Sequence, residues 1–217
     1  MASIAGSFWS VRMSAHHWFA CVMLVCASAA TAQPVAVALP TAAPAPRVTV
    51  HTSMGEIVIE LAPDKAPATV ENFLGYVREG FYNGTIVHRV IDNLLIQGGA
   101  YTVDLQAKPT HAPFALESNN GLSNLRGTVA AARAPSAADS ATAQFFINVV
   151  DNPRFDYSSD SSDFTKGFAV FGKVVSGMDV VDRIRLVPTQ AQDPLPRDVP
   201  VTPIVIERIE VLAAAQQ

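Results

Sequence analysis

Cysteine and tryptophan are nearly missing from this chain, and where the few occur matters more than their number. Cys21, Cys26, Trp9 and Trp18 are the whole complement, all within the first 26 of 217 residues. Formal charge is just as scarce there, since Arg12 is the only charged side chain before residue 33. No basic run occurs anywhere, and a net charge of −4 argues against a surface built for nucleic acid or anionic membrane. There is no Walker A loop, no G-x-G-x-x-G after a strand, no H-E-x-x-H and no G-x-S-x-G, which removes the common nucleotide, zinc-protease and serine-hydrolase chemistries. His51, His88 and His111 are far apart and no cysteine accompanies them, so no zinc site is expected. Asp156, Asp160 and Asp163 miss the spacing of a calcium loop, and a solvated loop is the simpler reading. No metal and no cofactor is expected.

The first 32 residues read as a signal peptide. Arg12 precedes the apolar stretch Trp18 to Ala30, and Ala30-Thr31-Ala32 has the small-x-small form of a cleavage site. The alternative is an uncleaved anchor, but the stretch falls short of the roughly 20 apolar residues that cross a bilayer. Cleavage would start the mature chain at Gln33, remove both cysteines and leave no disulfide. It would also change the charge to 14 basic minus 19 acidic residues, or −5. The expected destination is a bacterial periplasm, with no membrane attachment afterwards. Residues 33–46, with Pro34, Pro40, Pro44 and Pro46 among alanines, read as a linker. The folded domain is expected over 47–212, with a short tail at 213–217.

Within that domain, Val48 and Val50, then Ile57, Ile59 and Leu61, alternate as strands joined by a turn at Ser53-Met54-Gly55. Pro67 suits a first helical position, and Val70, Phe73, Leu74 and Val77 form one helical face. Further strands are expected at 127–133, 144–149, 167–175 and 204–212, with Gly172 as a bend. Met178, Val181, Ile184 and Leu186 suit a second helix, and Pro188, Pro194, Pro196 and Pro200 mark a long loop. Many short strands and only two helices suggest an all-β, closed or nearly closed barrel whose ends the helices cover.

The chemistry-bearing stretch is Ile86 to Tyr101. Two apolar runs flank Asp92-Asn93, the two-residue turn of an expected hairpin. His88, Arg89 and Gln97 sit inside that apolar frame, and an arginine there needs either a partner or a task, because an unpaired buried charge is costly. Both readings stand: a salt bridge across the surface, or a functional donor.

Five ordered blocks decide between them. V-H-R-V-I-x-x-L-L-I-Q-G-G at 87–99, E-x-x-N-G-L-x-N-x-R-G-T at 117–128, A-A-A-R at 130–133, Q-F-F-I-N at 144–148 and F-A-V-F-G-K-V at 168–174 resemble the cyclophilins, and among them the bacterial periplasmic branch. The resemblance implies a closed eight-stranded antiparallel barrel capped by two α-helices, with a groove on its outer face. It implies peptidyl-prolyl cis-trans isomerase activity on proline-containing polypeptides, with Arg89 as the catalytic donor. Gln97 and His88 would stand beside Arg89, with Gln144 and the backbone of Arg133 along the groove. Phe146, Leu94, Leu95 and Phe155 would form the proline pocket, with Phe168 closing one side. His88 also has a plainer reading as a structural histidine. Three departures from the pattern stand out: Leu94 replaces a long aromatic, Phe168 a histidine, and Arg154 the tryptophan of cyclosporin-sensitive members. Weak cyclosporin binding and a monomeric state are the corresponding expectations. The competing reading is a binding module that holds proline segments without turning them over.

Overall fold

The computed structural model describes residues 45–212. The expected signal peptide, nearly all of the linker and the 213–217 tail lie outside the described residues. Ten strands and two α-helices follow one another along the chain. They are β1 (Arg47–Thr52), β2 (Gly55–Leu61), α1 (Pro67–Arg78), β3 (Thr85–Ile91), β4 (Leu95–Thr102), β5 (Thr128–Ala131), β6 (Phe145–Asn148), β7 (Val170–Ser176), α2 (Met178–Arg185), β8 (Thr189–Gln192), β9 (Leu195–Pro200) and β10 (Ile204–Leu212). Eight strands close into a barrel in the order β1-β10-β3-β4-β6-β5-β7-β2, every pair antiparallel. The barrel expected from the sequence is the one observed.

Alternation along the strands sorts two apolar clusters. Val48, Val50, Ile57, Ile59, Val129, Phe145, Ile147 and Phe171 point into the barrel and meet Val70, Phe73 and Val77 of α1 and Val180, Val181 and Ile184 of α2. Leu95, Ala130, Phe146 and Val170 point the other way and form a second cluster outside the barrel wall. The adjacent Phe145 and Phe146 thus serve different cores.

Helix α1 begins without a capping side chain of its own at Ala66. Glu117, from the irregular segment after β4, fills that role from a distance. Its carboxylate accepts from the backbone N–H of Ala68 (3.1 Å) and Thr69 (2.8 Å) and from the Thr69 hydroxyl (2.7 Å). An anion there satisfies orphan donors and meets the positive end of the helix dipole.

Three sequence expectations need correction. The β3–β4 turn has three residues, because Ile91 pairs with Leu95 and Asn93 takes the left-handed φ of 59°. Leu94 therefore leaves the ladder and packs on the outer cluster. The proline-marked loop is in part a two-stranded sheet, β8 with β9. That sheet has no third strand, so Pro196 and Pro200 remove no essential ladder bond. Leu186 follows α2 and is 64% exposed, outside the buried face formed by Val180, Val181 and Ile184.

Phe145 packs edge-on against Phe73 and Tyr82, with centroids 5.6 Å away in both cases. Truncation to alanine should leave a cavity in the main core and destabilise the fold by about 3–5 kcal/mol, read as a lowered urea midpoint with unchanged slope.

Candidate active site

The groove is built where four outward-facing strand positions meet two loops. A cavity of about 350 Å³ opens there, lined by Arg89, Gln97, Leu94, Leu95, Phe146, Arg133, Phe155, Phe168 and, at its rim, Arg154 and Phe164. Phe146, Phe155 and Phe168 stand mutually edge-on with centroids 5.2–5.9 Å apart, a preferred aromatic geometry that fixes an apolar socket.

Arg89 reaches this face because β3 is irregular. Val87 pairs with Gly98 and Arg89 with Gln97, so His88 is an extra residue on β3. Strict alternation would turn Arg89 to the same side as Val87, which is in the barrel core. The bulge shifts the parity: Val87 and Val90 both face the core, and Arg89 between them faces the groove. Its guanidinium meets a partner on each of two sides. Nε donates to Asp198 Oδ2 at 3.4 Å and Nη1 to Gln97 Oε1 at 3.5 Å. Gln97 is itself fixed, its Nε2 donating to Gln144 Oε1 at 2.8 Å.

The bulged His88 goes elsewhere. It is buried, packs edge-on against Tyr101 with centroids 4.8 Å apart, and is not among the residues lining the cavity. Burial pushes its pKa down to about 4; the Ile86 backbone and the Gln144 side chain oppose this and the Arg89 charge adds to it. Nδ1 has no hydrogen-bond partner among the described residues. His88 is therefore neutral at physiological pH.

Arg133 contributes more than backbone. Its buried guanidinium donates to the carbonyls of Gly167 (2.8 Å), Ala134 (2.9 Å) and Asp163 (2.5 Å), and lies 4.9 Å over the Phe168 ring. It ties the 156–166 loop to the groove, and Phe164 at that loop's tip is 74% exposed at the rim. The opposite end of the socket rests on amide side chains. Asn152 donates to the Leu94 carbonyl and to Asn148, while Asp156 accepts from the backbone and side chain of Asn124. These bonds hold Phe155, between Asn152 and Asp156, against the socket.

Residues 47–211 match the family described as cyclophilin type peptidyl-prolyl cis-trans isomerase/CLD. The chain belongs to this family. It is 52% identical over 164 residues to peptidyl-prolyl cis-trans isomerase B of Escherichia coli, covering 76% of this chain and 98% of that one. Isomerase A of Dickeya dadantii is 49% identical over 165 residues, 76% of this chain and 84% of that one. The cyclophilin fold is matched by a Cryptosporidium parvum cyclophilin-type isomerase, also crystallised in the presence of the dipeptide Ala-Pro. The TM-score is 0.62 at 22% identity, over 78% of this chain and 99% of that one.

The cavity of this cyclophilin brings together Arg89, Gln97, Leu94, Leu95, Arg133, Phe146, Phe155 and Phe168. Gln144 stands behind Gln97, and His88 lies apart. Asp198 and Phe164 were not singled out from the sequence. Asp198 is 109 positions from Arg89 and has no local signal, while Phe164 sits in a Ser/Asp-rich loop that reads as solvated.

His88 has a testable consequence for stability. Its folded pKa lies below its unfolded value of about 6.5, so its contribution is complete above that pH and lost as pH falls toward 4. Urea unfolding should show a loss of about 2 kcal/mol between pH 7.5 and pH 5, largely absent in His88→Asn.

Proposed function

We propose that this cyclophilin isomerises X-Pro bonds in exported polypeptides of a bacterial periplasm, and so assists their folding, as a monomer and without metal or nucleotide. The observation that carries the mechanism is a charged donor, Arg89, on the edge of an aromatic socket. The socket takes the proline ring, and the guanidinium faces the bond beside it.

The barrier, roughly 20 kcal/mol, is amide resonance. As the bond twists, the proline nitrogen becomes pyramidal and its lone pair localises, so it becomes a better hydrogen-bond acceptor. A donor aimed there stabilises the twisted amide more than either planar form, which is differential binding of the transition state. Arginine suits this role because it stays charged and its donors are held in a rigid plane. Gln97 orients Arg89, with the free capacity of its amide directed at a substrate carbonyl. His88, buried and neutral, acts as scaffold: it fills the bulge that turns Arg89 outward. Twisting an amide needs no acid or base. The long Arg89 contacts fit this reading, since catalytic hydrogen bonds are often long before substrate arrives.

Arg154 lies 5.3 Å over Phe155 at the cavity rim, and the cyclophilin resemblance implies a tryptophan at this position in cyclosporin-sensitive members. A cation there offers no indole donor, so cyclosporin should inhibit only weakly. Arg154→Trp should strengthen inhibition, measured as the drug concentration that halves activity.

The deciding experiment is isomerisation of a short X-Pro peptide by residues 33–217, beside Arg89→Ala and Arg89→Lys. Both variants should lose about tenfold or more in rate, equivalent to about 1.4 kcal/mol of transition-state stabilisation, with the circular dichroism unchanged. A wild-type protein that binds proline peptides without accelerating them would instead be a binding module.

A further inference from the structure

Among the described residues Asp198 is the one anionic group that touches Arg89, and it comes from outside the barrel. It lies on β9, whose hairpin with β8 packs beside β3. Its Oδ2 sits 3.4 Å from Arg89 Nε, with both side chains partly shielded, at 25% and 35% exposure. Arg197 also approaches the same oxygen, at 3.6 Å, but is 75% exposed and well solvated, so its claim on the carboxylate is weak. The backbone at Asp198 takes a left-handed φ of 63°. Among non-glycine residues, aspartate and asparagine tolerate that region best.

Taken with Gln97, this makes a three-point account of the guanidinium. Nε is taken by Asp198 and Nη1 by Gln97, which leaves Nη2 without a partner among the described residues. An arginine side chain has four rotatable torsions, and a single long contact to Gln97 cannot fix its plane. A carboxylate on the Nε edge adds the second constraint, and it does so without occupying the corner needed by the substrate.

We propose that Asp198 is a positioning residue for the isomerisation: its carboxylate fixes the plane of Arg89 so that Nη2 faces the proline nitrogen. This rests on Arg89 being the catalytic donor. The β8–β9 hairpin is thereby part of the catalytic apparatus, although no residue of it lines the cavity. Such a residue acts on orientation in the transition state rather than on ground-state binding. Proline affinity is set by the phenylalanine socket, which Asp198 does not touch.

Asp198→Gly removes the carboxylate and accepts the positive φ without strain, and Asp198→Asn keeps an acceptor and the same backbone preference. With wild type and Arg89→Ala in the same assay, Asp198→Gly should lower kcat by roughly three- to tenfold with KM within about twofold of wild type. Asp198→Asn should recover at least half of that loss. The Arg89 Nε–H resonance should be resolved in wild type, shift and broaden in Asp198→Gly and return in Asp198→Asn. An unchanged kcat in Asp198→Gly, a KM rise that accounts for the whole loss, or an asparagine variant as impaired as glycine would each overturn the proposal. An inactive wild type, or an Arg89→Ala variant as active as wild type, would strike the donor mechanism itself.

Discussion

One extra residue in β3 decides which way Arg89 faces. A strand alternates its side chains strictly, so a charged residue two positions from a core valine must point into the core unless the count is broken. His88 breaks it. Val87 and Val90 remain in the barrel, Arg89 turns out to the groove, and the imidazole that causes the shift is buried and neutral. A histidine beside an arginine suggests acid–base chemistry; here its contribution is geometric. The cost is a buried ring nitrogen without a partner, the kind of local strain tolerated where a side chain must be re-aimed.

The rest of the site follows from the same economy of surfaces. The barrel needs an apolar inside, and the outward positions of β4, β5, β6 and β7 are free to build a second apolar cluster. Ala130, fully buried beneath the socket, leaves room for Phe146 and Val170 beside it. The loops over this cluster contribute Phe155 and Phe168 to it, and buried polar side chains hold them in place. Arg133 binds three carbonyls and stacks on Phe168, while Asn124, Asn148 and Asn152 bind one another, Asp156 and the Leu94 carbonyl. Satisfied networks of this kind define loop positions, because an unpaired polar group at such a depth is expensive.

Much of this is legible in the sequence. The periodicities of β1, β2 and α1 and the opposite faces of Phe145 and Phe146 follow from side-chain spacing. The cyclophilin blocks supplied the socket. Three features resisted for physical reasons. The β3–β4 turn was misjudged because Asp-Asn is a two-residue turn signal, whereas the observed turn places Asn93 alone in the left-handed region and releases Leu94 to the groove. The β8–β9 hairpin was hidden by prolines, which argue against strands unless both edges are open. Phe164 was hidden by its polar neighbours.

By itself the sequence determined most of the local elements and the barrel class, because those depend on spacing within short segments; the arginine, glutamine and phenylalanine set came from the resemblance of its ordered blocks to the cyclophilins. Only the tertiary structure decided how the arginine is held. The partners of Arg89 come from β4 and β9, and the one on β9 is 109 residues away. Glu117 capping α1 and Arg133 securing the 156–166 loop are likewise pairings across tens of residues. Charge complementarity over such separations leaves no periodic trace along a chain; it exists only once the barrel has closed and brought the groups to within 2.5–3.5 Å of one another.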